Sequence, residues 1–181
     1  MSGPGRLGWF NGLPEEQAAG ELLAVCHSPR WAGQVAAGRP YADLAALQQA
    51  ADETWMALGP DDWLEAFAAH PRIGQGGSGG PPGWSPGGSG GGGRSAAWSR
   101  HEQSGVGGAG EEVTDALARG NAEYEARFGH VFLIAAAGRS ADEILAQLEA
   151  RLGNDPATEL RVAAGEHRRI TRLRLEKLMQ G

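Results

Sequence analysis

The stretch "AFAAHPRIG" places His70 at the end of an amphipathic helix, directly before Pro71. An imidazole gives or takes a proton near neutral pH. At helical spacing Trp63, Phe67 and His70 share one face, an apolar setting that favours the neutral ring. Pro71 disfavours helical geometry at His70, so the helix ends there. A second candidate is "SRHEQ". Its S-x-x-E spacing fits a capping box, with Ser99 capping a short helix and Glu102 answering it. The same geometry presents Glu102 and Gln103 at a helix start. The third is Arg174. On the last helix Leu160, Ala163, Ala164, His167, Ile170, Thr171, Leu175 and Leu178 form one apolar stripe, and Arg174 falls in its middle. A buried guanidinium is costly without an anionic partner. Three readings stay open: a pair with a core carboxylate, a head group that reaches back to solvent, or a receptor for an anionic ligand. Arg161, Arg168, Arg169 and Arg172 lie off the stripe and read as a solvated basic face.

Other chemistries fit less well. "GQGGSG" matches G-x-G-x-x-G, but no strand precedes it. "GSGGGGRS" has Arg94 where a phosphate loop needs lysine. "HEQSG" has Gly105 where a zinc-protease helix needs its second histidine. The five histidines form no i, i+3 or i+4 pair, so no metal is expected. A formal charge of −6 argues against nucleic-acid binding. The single cysteine, Cys26, forms no intrachain disulfide, and a reducing cytoplasm fits it. No apolar run of membrane-spanning length occurs, and the first ten residues lack the apolar core of a signal peptide.

The elements that must position these residues read as helices. At 181 residues and 41% hydrophobic, the chain suits one domain with a core. Residues 1 to about 12 are expected to be loose. Helices are predicted over 13–26, 29–38, 41–59, 60–70, 96–103, 111–129, 140–153 and 155–180. Pro14 and Pro60 mark starts, with acids in the first turn. Ser140 and Glu143 form a capping box, and an Asp155-Pro156 cap opens the last helix. "HVFLIAAAGRS" reads as a buried extended segment. Residues 75–93, of linker composition, join the His70 and Glu102 motifs as a flexible loop. The fold class is all-α: one helical bundle over 1–181.

Jointly, "RPYADLAAL", "DDWLEAFAAHPRIG", "WSRHEQSG", "NAEYEARFGHVFLI", "EILAQLEARLGND" and "ELRVAAGEHRRITRLRLEKL" resemble the 2-oxo-4-hydroxy-4-carboxy-5-ureidoimidazoline (OHCU) decarboxylases. These enzymes close the route from urate to (S)-allantoin. The resemblance implies an all-α homodimer that acts in the cytoplasm on a small ureidoimidazoline, with neither metal nor organic cofactor. It implies catalytic roles for His70, Glu102 and Arg174. It implies substrate contacts from Pro71, from Ser99, Arg100, His101 and Gln103 of "SRHEQ", and from the backbone of Phe132, Leu133, Ile134, Ala135 and Ala136. Two features depart from the family. The glycine-rich tract is longer and barer than usual, and His130 stands where many members have proline. Two rivals are a catalytically silent ureide-binding module and a hydrolase using Ser99, His70 and Glu102. No G-x-S-x-G elbow supports the hydrolase.

Overall fold

The computed structural model describes residues 5–74 and 91–180. Among these residues nine α-helices form and no strand. They are α1 Arg6–Gly12, α2 Glu15–Cys26, α3 Pro29–Ala37, α4 Leu44–Ala57, α5 Pro60–Ala68, α6 Gly91–Glu102, α7 Glu111–Phe128, α8 Ala141–Arg151 and α9 Pro156–Gln180. None is long and apolar enough to cross a membrane.

Local chemistry sets most of the boundaries. Ser28, Asp43 and Ser140 accept a backbone N–H of the first turn of α3, α4 and α8. Ser140 and Glu143 complete the expected box in both directions. Pro60, Asp61 and Asp62 open α5. Asp155 caps α9 through the Thr158 N–H at 3.0 Å. Gly129, at φ 76°, ends α7 in the left-handed region that glycine adopts without strain.

Helix α9 is the central post, packed against α1, α2, α4, α5 and α7. Its buried face carries Ala163, Ala164, His167, Ile170, Thr171, Arg174, Leu175 and Leu178, the stripe expected from sequence. Two apolar clusters result. The larger joins α1–α5 and α9 around Trp31, Trp55 and Phe67. The smaller joins α7 and α8 around Leu117, Tyr124, Ile144 and Leu148. Residues 130–136 run between them without helix or strand. Leu133 packs into the first cluster, whereas Phe132, Ile134 and Ala136 pack into the second. That alternation is the period of an extended chain, as expected for this segment.

Three expectations change. Residues 6–12 are ordered as α1: Phe10 is fully buried, and Arg6 donates to the Leu178 carbonyl at 3.1 Å. Arg39 donates to the Phe10 and Leu13 carbonyls at the end of α1 at 2.8 and 2.7 Å. Residues 75–90 of the expected connector lie outside the described residues, but residues 91–93 belong to α6. Helix α6 therefore starts well before Ser99, which sits inside it, and the expected Ser99 cap does not form. Glu102 closes the helix rather than opening it.

After α6 a 3-10 turn, Ser104–Val106, presses against the turn at residues 136–139. A Cβ on Gly105 would stand 2.3 Å from the Arg139 carbonyl oxygen. Backbone must yield to admit it, so Gly105→Ala is expected to destabilise by about 1–3 kcal/mol. A urea titration reads this, and a midpoint at or above that of the unsubstituted chain would show the turn to be loose.

Candidate active site

His70 follows the last turn of α5, its N–H on the Phe67 carbonyl at 3.0 Å. The chain then turns through residues 71–74. Helix α7 holds this turn by Asn121 Nδ2 on the Ile73 carbonyl (2.8 Å) and by a two-armed Arg72–Glu125 pair (2.6 and 2.8 Å). Gly74, at φ 82°, donates its N–H to Gln103 Oε1 at 3.3 Å. The two motifs thus meet directly.

From the other side, α6 delivers Ser99 and Glu102 to α9. Arg174 Nε and Nη2 each lie 2.9 Å from an oxygen of Glu102, and Nη2 also donates to Ser99 Oγ at 3.0 Å. Nη1 donates to the Val25 carbonyl at 3.4 Å. Arg174 is 1% exposed. Of its three readings, the pair with a core carboxylate is the one that forms. This pairing is the bidentate fork that a guanidinium makes with a carboxylate.

Together these elements enclose a cavity at the seam of the two clusters, with about 300 Å³ of atom-free space when the open solvent at its mouth is included. His70, Pro71, Ser99, Glu102 and Gln103 line it, and Phe132, Leu133, Ile134 and Ala136 form the opposite wall. Ala135 does not line the cavity; its N–H turns away to Glu166 Oε2 at 2.8 Å. Arg100 and His101 are exposed on the outer face of α6 and do not line it. Arg174 is paired with Glu102 and does not itself line the cavity. His130 is outside the lining too, buried among Phe67, Tyr124 and Phe128. Among the described residues no group of three His, Cys, Asp or Glu side chains is placed to hold a metal ion.

The sequence did not single out two further imidazoles beside His70. His167 lies edge-on to it at 5.0 Å between ring centroids, stacked on Trp55 at 4.4 Å. His27 is at 5.9 Å, with its Nε2 2.8 Å from Ser95 Oγ. His167 falls seven residues before Arg174, two helical turns along the same face, a spacing that points to the site. His27 takes a left-handed conformation at the end of α2, for which no sequence signal exists. Nε2 of both His70 and His167 is buried without a hydrogen-bond partner among the described residues.

Burial, and then the Arg174 charge, hold all three rings neutral. His27 is lowered to about 4, and His70 and His167 are pushed well below the usual histidine value. By contrast, burial pushes the Cys26 thiol up to about 12, which leaves it unreactive. Because the unfolded chain protonates these histidines near pH 6.5 and the fold does not, stability is fully present above pH 6.5. It falls as pH drops towards about 4, where His27 protonates in the fold. Between pH 6 and 5 the slope should approach that of three protons, each about 1.4 kcal/mol per pH unit. Urea unfolding at several pH values checks this; a flat profile would mean that the rings are solvated.

The sequence model of OHCU decarboxylase matches residues 11–176. The bifunctional uric acid degradation protein TTL of Arabidopsis thaliana is 32% identical over 158 residues, 87% of this chain and 46% of that protein. The 2-oxo-4-hydroxy-4-carboxy-5-ureidoimidazoline decarboxylase of Amia calva is 42% identical over 86 residues, 46% of this chain and 49% of that one. The matched part of the chain thus spans about half the length of the curated relatives. The crystal structure of an OHCU decarboxylase in the presence of (S)-allantoin superposes with a TM-score of 0.72 at 29% identity, covering 90% of this chain and 99% of that one.

Proposed function

The chain belongs to the OHCU decarboxylase family, and on that premise we propose that it converts 2-oxo-4-hydroxy-4-carboxy-5-ureidoimidazoline to (S)-allantoin and CO2 in urate degradation, without a cofactor. The carrying observation is the cavity that gathers His70, Ser99, Glu102, Gln103 and residues 132–136 within the matched span.

The substrate carries carboxylate and hydroxyl on one tetrahedral carbon, beside an unsaturated carbon that bears the ureido group. When the C–CO2 bond breaks, its electron pair passes into the ring and the ring nitrogen takes up a proton. The hydroxyl then loses its proton to become a carbonyl, and the ureido-bearing carbon gains one on a single face. Neutral His70 is suited to receive the hydroxyl proton and return one to that carbon. Glu102 keeps free lone pairs beyond its two bonds to Arg174, and these accept the hydroxyl or a ring N–H. Ser99, Gln103 and the wall at 132–136 hold the ring and ureido groups in register. Arg174 orients Glu102, and its charge adds to burial in keeping His70 neutral.

The hydrolase reading is not favoured: Ser99 Oγ accepts from Arg174, and no imidazole hydrogen-bonds to it. A single domain, a cytoplasmic setting and a homodimer belong to the same proposal and rest on family likeness. To test the activity, the unstable substrate is generated from urate with the two upstream enzymes, and CO2 and optical activity are followed. Racemic allantoin at the buffer rate would end the proposal.

A further inference from the structure

The wall of the cavity at residues 132–136 has two edges: side chains tie the odd one, while on the even one the Ala136 carbonyl accepts from the Arg139 N–H at 3.0 Å and Ile134 is left untied among the described residues. The Leu133 carbonyl accepts from Arg151 Nη1 at 2.6 Å. The Ala135 N–H donates to Glu166 Oε2 at 2.8 Å, and its carbonyl accepts from Arg139 Nε at 3.2 Å. In an extended chain the N–H and C=O of alternate residues share an edge, so these bonds hold the odd edge. Ile134, between them, is buried and lines the cavity, and its N–H and C=O have no partner among the described residues.

Both clamps are themselves anchored. Glu159, fully buried, holds Arg151 by Nε at 2.8 Å and Nη2 at 2.5 Å. Asn154 and Tyr124 satisfy the rest of that carboxylate. The remaining arm of Arg151 is thereby aimed at one carbonyl. Glu166 lies on α9 with a side chain 12% exposed, and its other oxygen meets Arg169 at 2.7 Å.

We propose that Glu166 and Arg151 are positioning residues: by holding the odd backbone edge, they present the Ile134 N–H and C=O to the cavity as a donor–acceptor pair for a ureido or cyclic-urea group. This deepens the decarboxylase reading and rests on it for the identity of the ligand. The energetic reason is the usual one for buried peptide groups. Untied, the segment would turn Ile134 towards any internal partner, and the site would lose its register.

Glu166 gives the cleaner test, because removing Arg151 strands Glu159 and threatens the fold. Glu166→Met deletes the acceptor and keeps the stem; Glu166→Gln keeps an oxygen for the Ala135 N–H. Arg169→Ala removes the exposed ion pair without touching the wall. Glu166→Met should lower kcat/KM by about tenfold, mostly through KM, and weaken (S)-allantoin binding to match. Glu166→Gln should return within about threefold of the unsubstituted enzyme, and Arg169→Ala should not differ from it. In hydrogen exchange, Glu166→Met should speed the peptide spanning 131–137 while α7 and α8 stay protected. Equal losses in Met and Gln, or unchanged kinetics in Met, would overturn the proposal. Should the unsubstituted chain not turn over the ureidoimidazoline, the functional reading fails by itself. The exchange result then decides the clamp: selective acceleration supports it, and unchanged protection overturns it.

Discussion

His70→Asn is expected to lower kcat by about a thousandfold or more while KM changes little. Proton transfer by a placed side chain is worth about 10²–10⁴, and His70 lines the cavity as a neutral imidazole with an unpartnered ring nitrogen that can take up and return a proton. An asparagine keeps a polar group of similar reach but has no basic nitrogen. Binding should survive, because Ser99, Gln103 and the 132–136 wall are untouched; the loss then appears in kcat. The fold should survive as well. The turn is held by Asn121, by Arg72–Glu125 and by the backbone bond of residue 70, none of which uses the imidazole. Removing a buried ring whose Nε2 has no partner strands no other group. The variant should also lose one proton from the acid slope of stability, since two depressed histidines remain rather than three. A variant with kcat within tenfold of the parent would take His70 out of the chemistry. Retained stability with an unchanged acid slope would contradict its assigned titration.

What could be read in advance follows from the range of each interaction. Helix boundaries set by a cap a few residues away, such as Ser140 with Glu143 or Pro60 with Asp61, are written locally. Helix α1 is not: it depends on Arg39, 29 residues from Phe10, and on the Leu178 carbonyl, 172 residues from Arg6. Helix α6 hides for a second reason. Each glycine costs about 1 kcal/mol in a helix, so its first turn reads as linker. Packing on α2, through Arg94 to Glu21 and Ser95 to His27, offsets that deficit. The S-x-x-E spacing made Ser99 look like a cap, and the resemblance set Arg100 and His101 beside it as contacts, although successive residues point to different sides of a helix. In the site, His70, Glu102 and Arg174 stood out as chemical types in odd places. That Arg174 reaches Glu102, 72 residues away, and stays out of the cavity lining is a tertiary fact no spacing encodes.

The second large effect concerns that pair. Arg174→Met is expected to destabilise the protein by about 3–5 kcal/mol, the cost of leaving a buried charge unpaired. It should also remove nearly all activity. Two causes are entangled in such a result, and pH separates them. Without Arg174 the Glu102 carboxylate is left buried with no opposite charge beside it, a cost that exists only while the group is ionised. The penalty of Arg174→Met should therefore be greatest at neutral pH and should shrink at acid pH. This trend runs opposite to that of the histidines. Arg174→Met with Glu102→Met removes both charges and should recover much of the stability, because apolar replacement of a buried ion pair is often neutral or better. It should recover no activity, since the carboxylate acceptor is gone. His70 offers a readout independent of turnover. Burial is the main cause of its depression and the Arg174 charge the next, so the ring in the double variant should titrate closer to its usual value while staying below it. Imidazole resonances followed by NMR against pH report this directly. A stable double variant that still decarboxylates would show the carboxylate to be scaffold, and an unmoved His70 titration would show that burial alone keeps the ring neutral.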